Sequence, residues 1–461
     1  MSHELLSDFV AATAIKFGIP GVAVGVWANG EEAYACHGVT SVDNALPIDR
    51  DTLYVLGSVT KTFTATALMR LVAEGKVELD ALVRRYIPEL RLADEQAAAK
   101  VTVLNLLNHT SGLGWDLLVD TGEGDDALAR FVANLASLEL IAPPGERASY
   151  SQAGYSVVGR IMEKVIGRTY EQAVDSLVLE PLGLSHTFFA PEDVMTRRFA
   201  VGHNPGQDGT PSVARLWRGP RCRNPGGGIA SSVADQLRWA RFHLGDGRAA
   251  SGDRVLPPEV LHRMKEPTVA LRGSTLGDAL GISWFLRDID GVRTVGHGGS
   301  ANGQFAEFLT VPERGFAVVA LSNSGPDGIP CNQAVVRWAL EAYLGVVDRD
   351  PEPLPYDETR ANEVVGRYDI DVMSLVITTD ETKLTLEARI KPEIRASWDG
   401  EMPPDYAPAA IGLLPGDTDE YIITEGGLKG QRGFFTRDEN STVVGVDLAG
   451  RMYSRVPTAP E

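Results

Sequence analysis

The chain has 461 residues, 44% hydrophobic and 23% charged, a balance that supports a sizeable buried core and excludes fibrous or disordered readings. Acidic residues outnumber basic ones 62 to 43, and the net charge of -19 repels a phosphate backbone, which excludes nucleic acid as a partner. No stretch approaches a membrane span, residues 1–10 lack the basic start and apolar run of a secretory signal, and Cys36, Cys222 and Cys331 form no Cys-x-x-Cys pair, so a cytoplasmic location is expected.

In chain order, residues 5–17 read as a helix and 21–27 (GVAVGVW) as a strand turning at Asn29-Gly30 into a hairpin partner over 31–37. Residues 62–74 carry Phe63, Ala67, Leu68, Leu71 and Val72 at helical spacing, predicting a helix that packs one face inward and stops at Gly75. Helical patterns run over 101–179 and 232–244. Strand patterns occupy 281–285, 293–297, 305–311 and 316–322, and a helix over 333–344 follows. This order predicts an α+β domain over 1–346, an antiparallel sheet flanked by helices with a helical region inserted between its strands.

Residues 347–362 hold three prolines and many charges, the composition of a linker that few contacts cross. Beyond it, short alternating runs around Leu375, Leu384, Tyr421 and Val443 predict a small all-β domain, barrel-like, over 363–461. Capping the pocket, supporting a homo-oligomer and adding stability are all open roles for it.

Ser58-Val59-Thr60-Lys61 is the only Ser-x-x-Lys in a chain with nine lysines. Residues three apart share a helix face, so a serine at the helix start has its hydroxyl beside the lysine amine and near the free amides of the helix amino terminus. A serine hydroxyl is a poor nucleophile until a base removes its proton. Lys61 meets that need if burial depresses its pKa; alternatively it stays charged and lowers the pKa of a tyrosine base, for which Tyr150 in Tyr150-Ser151-Gln152 is the candidate.

Three segments, LGSVTKTFTATALMRLVAEGKVELD, VTVLNLLNHTSGL and PPGERASYSQAGYSVVGRIME, followed by Gly296-His297-Gly298-Gly299, resemble the class C β-lactamase and esterase family of serine hydrolases, which also includes lactonases, penicillin-binding proteins and D-aminopeptidases. The resemblance spans about residues 5–345. It implies a penicillin-binding-type fold, Ser58 as nucleophile, Lys61 and Tyr150 as the proton-transfer groups, and an oxyanion hole from the backbone amides of Ser58 and Ser300. Each such donor is worth roughly 3 kcal/mol in the transition state.

Two positions depart from the family pattern. Gln152 replaces an asparagine, and His297 stands where many β-lactamases place a lysine that holds a substrate carboxylate. With an imidazole as the cation at that position, an uncharged ester or lactone is the expected small-molecule substrate, with an amide or D-peptide, then a β-lactam, as rivals. A catalytically silent binding protein is the alternative from another class. Gln152, His297, Gly298 and Gly299 are expected to line the substrate site, with Trp115 and Trp217 as pocket walls. His109 reads as structural and Gly226-Gly227-Gly228 as a turn near the site. No metal or other cofactor is expected.

Overall fold

Strand Phe316–Ser322 is buried at every residue, and its two sides feed two cores. Phe316, Val318 and Ala320 pack under helices His3–Phe17 and Gly328–Leu344, whereas Ala317, Val319 and Leu321 face the helical insertion. A strand covered on both faces needs a continuous apolar run instead of alternation, which FAVVALS supplies. The computed structural model describes residues 3–206, 208–398, 401–402, 404–416 and 419–457.

The strand belongs to an eight-stranded antiparallel sheet, in the spatial order Glu31–Gly38, Gly21–Ala28, Phe316–Ser322, Gln304–Val311, Val292–Ala301, Phe285–Ile289, Gly277–Leu280, Val269–Ser274. The α+β class and the helical insertion are as expected. Residues 281–285 are not one strand. Ser283 takes a left-handed φ of 71°, which breaks the extended run into Gly277–Leu280 and Phe285–Ile289.

Helix Thr60–Ala73 is buried around its whole girth from Thr60 to Met69, not along one face as its spacing suggests. Its threonines permit this because their hydroxyls are satisfied: Thr64 Oγ1 donates to Pro225 O at 2.6 Å and Thr66 Oγ1 to Thr62 O at 2.7 Å. Phe63 stacks on Trp239 with centroids 4.0 Å apart. The helix is thus clamped on all sides, as a scaffold for reacting groups requires.

Eight further strands, from Gly366–Asp369 to Arg451–Arg455, close into a barrel around its own core of Leu375, Ile377, Leu386, Val446 and Tyr453 among others. Contrary to the expectation of a loose linkage, the barrel is hydrogen-bonded to the body. Arg432 and Thr275 exchange bonds, with Arg432 N donating to Thr275 Oγ1 at 2.7 Å. The linker is tied down too, Asp348 pairing with Arg287 at 2.7 Å and with Arg337 at 3.3 Å. Tyr150 N donates to Gly450 O at 2.8 Å, so a barrel hairpin rests on the Tyr150 loop. Proline content describes the stiffness of residues 347–362 but not what docks on either side of them.

Candidate active site

Ser58 lies in a short turn, Gly57–Val59, that opens directly into helix Thr60–Ala73. The turn presses on strand Val292–Ala301 closely enough that glycine is required on both sides. Gly57 has φ of 54°, and a Cβ there would collide with the Ser300 backbone; a Cβ on Gly299 would stand 3.1 Å from the Ser58 nitrogen. The backbones of Ser58 and Ser300 therefore converge, the arrangement that an oxyanion pocket needs.

Lys61 is 0% exposed. Its Nζ lies 2.6 Å from Gln152 Oε1, 2.7 Å from Gly226 O and 3.2 Å from Ser58 Oγ. Burial pushes its pKa well below that of a free lysine, and Arg451 and Arg223 nearby push the same way. Two fixed acceptors take two N–H groups, and the third direction points at the serine.

Tyr150 is 4% exposed and its ring lies 4.9 Å from Lys61 Nζ. Burial lifts its pKa to about 12, against the pull of Ser58 and Arg451. Ser58 lies near enough to pull on the phenol, yet the hydroxyl completes no full hydrogen bond. Its ring packs on His109 with centroids 4.4 Å apart. His109 Nδ1 accepts the Ser151 amide at 3.1 Å, and Ser151 Oγ caps the following helix, Gln152–Ile166. His109 thus braces the Tyr150 ring on one side and the Ser151 amide on the other.

The remaining expected residues divide. Gln152 spends both ends of its amide on protein, Oε1 on Lys61 and Nε2 on Arg223 O at 3.2 Å, so it holds the lysine even though it borders a cavity. His297 is buried, stacked on Phe285 at 4.1 Å, with Nδ1 against Gly298 O. Burial, then Lys61, depress its pKa to about 3, so it is neutral at ordinary pH. Gly298 and Gly299 line the cleft beside Ser58, and Trp115 walls a neighbouring cavity of about 300 Å³. Trp217 stands apart from both cavities: its Nε1 donates to Ala200 O at 3.0 Å and its ring packs edge-on against Phe199.

One residue absent from the sequence reading is central. Arg451 projects from the barrel hairpin into both cavities that reach Ser58. Its guanidinium lies 4.8 Å from the Trp115 ring and 5.0 Å from the Tyr150 ring, its Nε is buried without a partner, and no carboxylate among the described residues is within ion-pair reach. The cleft therefore has a fixed cation away from the third motif, where the sequence offers only an imidazole. The signal available was the Ala449-Gly450 turn between two alternating runs, but nothing in it says which domain surface the turn meets.

A family model described as Beta-lactamase matches residues 6–338. Penicillin-binding protein 4 of Amycolatopsis lactamdurans is 36% identical over 311 residues, 67% of this chain and 81% of that protein. The crystal structure of SurE superposes with a TM-score of 0.74 at 24% identity, covering 98% of this chain and 99% of that one. A class C β-lactamase superposes with a TM-score of 0.61 at 23% identity over 73% of this chain and 97% of that one. The two structural likenesses concern the fold, and the first extends over the barrel.

Proposed function

The chain belongs to the β-lactamase family of acyl-serine hydrolases, and from that premise we propose that it cleaves a carboxylic ester or lactone whose carboxylate is anchored by Arg451. The observation that carries the chemistry is the environment of Lys61. Its Nζ is fixed within 2.6 Å of Gln152 Oε1, 2.7 Å of Gly226 O and 3.2 Å of Ser58 Oγ, and burial pushes its pKa down; in the proposed reaction the amine is neutral and presents its lone pair, in place of an N–H, to Ser58 Oγ.

In the first step Lys61 Nζ takes the Ser58 proton while Oγ bonds to the substrate carbonyl carbon. The carbonyl oxygen, now negative, is received by the amides of Ser58 and Ser300. Tyr150, kept protonated by burial, gives its proton to the departing alkoxide as the C–O bond breaks, and Lys61 returns the proton to Tyr150. Water then attacks acyl-Ser58 by the same route, its proton ending on Ser58. An alkoxide leaves more readily than an amide nitrogen, so one oxyanion pocket and one proton donor take an ester further.

The expected charge of the substrate is revised by Arg451. A guanidinium stacked on two rings, with a buried N–H unspent, suits a planar carboxylate on the substrate. The same feature favours a second reading, hydrolysis at a D-amino acid, since the neighbour SurE has also been crystallised with D-Leu. A panel of p-nitrophenyl esters with and without a carboxylate, a lactone, a D-leucyl peptide and nitrocefin decides between them. The esters should lead, with nitrocefin lower by about 100-fold in kcat/KM. Faster cleavage of the D-peptide or of nitrocefin would replace the ester reading.

A further inference from the structure

The cavity of about 260 Å³ that starts at Ser58 and Tyr150 does not end at the reacting groups. It passes Gly298 at the edge of strand Val292–Ala301 and continues over the sheet face opposite helix Thr60–Ala73. There it runs between strand Gln304–Val311, helix Gly328–Leu344 and the barrel residues Gly430–Arg432. Gly298 pairs in register with Glu307, and a Cβ on Gly298 would stand 3.3 Å from Glu307 Oε2. The Glu307 carboxylate thus lies just past the opening that the glycine leaves.

Two acceptors in this chamber lack donors. Glu307 makes no hydrogen bond or ion pair among the described residues, and Asn332, 1% exposed, donates through Nδ2 to Phe305 O at 3.2 Å while its Oδ1 is buried without a partner. None of the chamber's other charges pairs with Glu307 among the described residues. Arg287 and Arg337 are committed to Asp348 and Asp350, and Arg432 belongs to the barrel wall. Burial lifts the Glu307 carboxyl to about 7, opposed only by the more distant charge of Arg287. Glu307 is half-buried and its oxygens are open to the chamber, so a bound cation would supply the partner that the protein does not.

We propose that this chamber receives the far end of the substrate's acyl arm, and that Glu307 with Asn332 Oδ1 holds an ammonium group there. The inference rests on the acyl-Ser58 reading, because the arm is measured from the carbonyl bound to Ser58. A primary ammonium has donors for both acceptors; a methyl or carboxylate terminus has none.

The test uses the full chain and alkyl fluorophosphonates in a chain-length series, each length ending in ammonium, methyl or carboxylate. Labelling at Ser58 is followed by intact mass. At the length that spans the two sites, the ammonium probe should label wild type about tenfold faster than the methyl probe, the effect of one charged hydrogen bond. Glu307→Gln should erase the difference. Should that variant not fold, the wild-type ratio decides alone. Equal rates at every length, an advantage that survives Glu307→Gln, or faster labelling by the carboxylate series each overturn the inference while leaving the acyl-serine reading intact. Absence of any label on wild-type Ser58 overturns both.

Discussion

Lys61 and Arg451 are two basic side chains beside Ser58 and Tyr150, one from the body and one from the barrel, and they are held in opposite ways. Lys61 sits inside the body, with its amine placed by Gln152, Gly226 and Ser58. Arg451 arrives on a hairpin, lies on the faces of Trp115 and Tyr150, and keeps hydrogen-bonding capacity unspent. A group whose contacts are all taken by protein can only act on what comes next to it, which suits proton transfer. A group left partly unsatisfied has something to offer a ligand. On the proposed function the body carries the chemistry, and the barrel contributes to choosing what undergoes it.

This division can be broken from either side. Lys61→Met should lower kcat/KM on every ester by about 10³-fold, since members of a nucleophile and base unit fail together. The same variant has a stability signature. Because burial lowers the Lys61 pKa in the folded chain, the unfolded chain binds the additional proton between the two pKa values. Wild type should then gain stability relative to Lys61→Met as pH rises toward the ordinary lysine range, seen as converging Tm values. A parallel pair of Tm profiles would mean that Lys61 is charged in the fold.

Arg451→Met should act on one substrate class only. Carboxylate-bearing esters should lose roughly 10- to 100-fold in kcat/KM, the worth of a charge-assisted hydrogen bond, and the gap between them and neutral esters should close. A uniform loss across both classes would show that Arg451 supports the Tyr150 loop instead of reading the substrate.

The parts legible in the sequence are those whose partners lie within one helix or strand. Ser58 and Lys61 are three residues apart on one helix, and the apolar run of Phe316–Ser322 declares a strand buried on both sides. Spacing failed where one backbone angle intervened, as at Ser283, and where threonine hydroxyls let helix Thr60–Ala73 bury a face that reads as polar. The Gly- and Pro-rich setting of Trp217 suggests a pocket wall, yet its indole N–H is used by Ala200. Arg451 could not be found by pattern at all, because its importance comes from the docking of Gly450 on the Tyr150 loop, a contact between domains.

The central claim is that the reaction passes through a covalent ester on Ser58. Wild-type protein mixed with a p-nitrophenyl ester and quenched in acid within one turnover should show the acyl mass, and peptide mapping should place it on Ser58 and nowhere else. Ser58→Ala should show neither the adduct nor turnover while keeping the wild-type melting profile. Steady hydrolysis by wild type with no acyl mass at any quench time, or with the acyl group on another residue, would contradict the account.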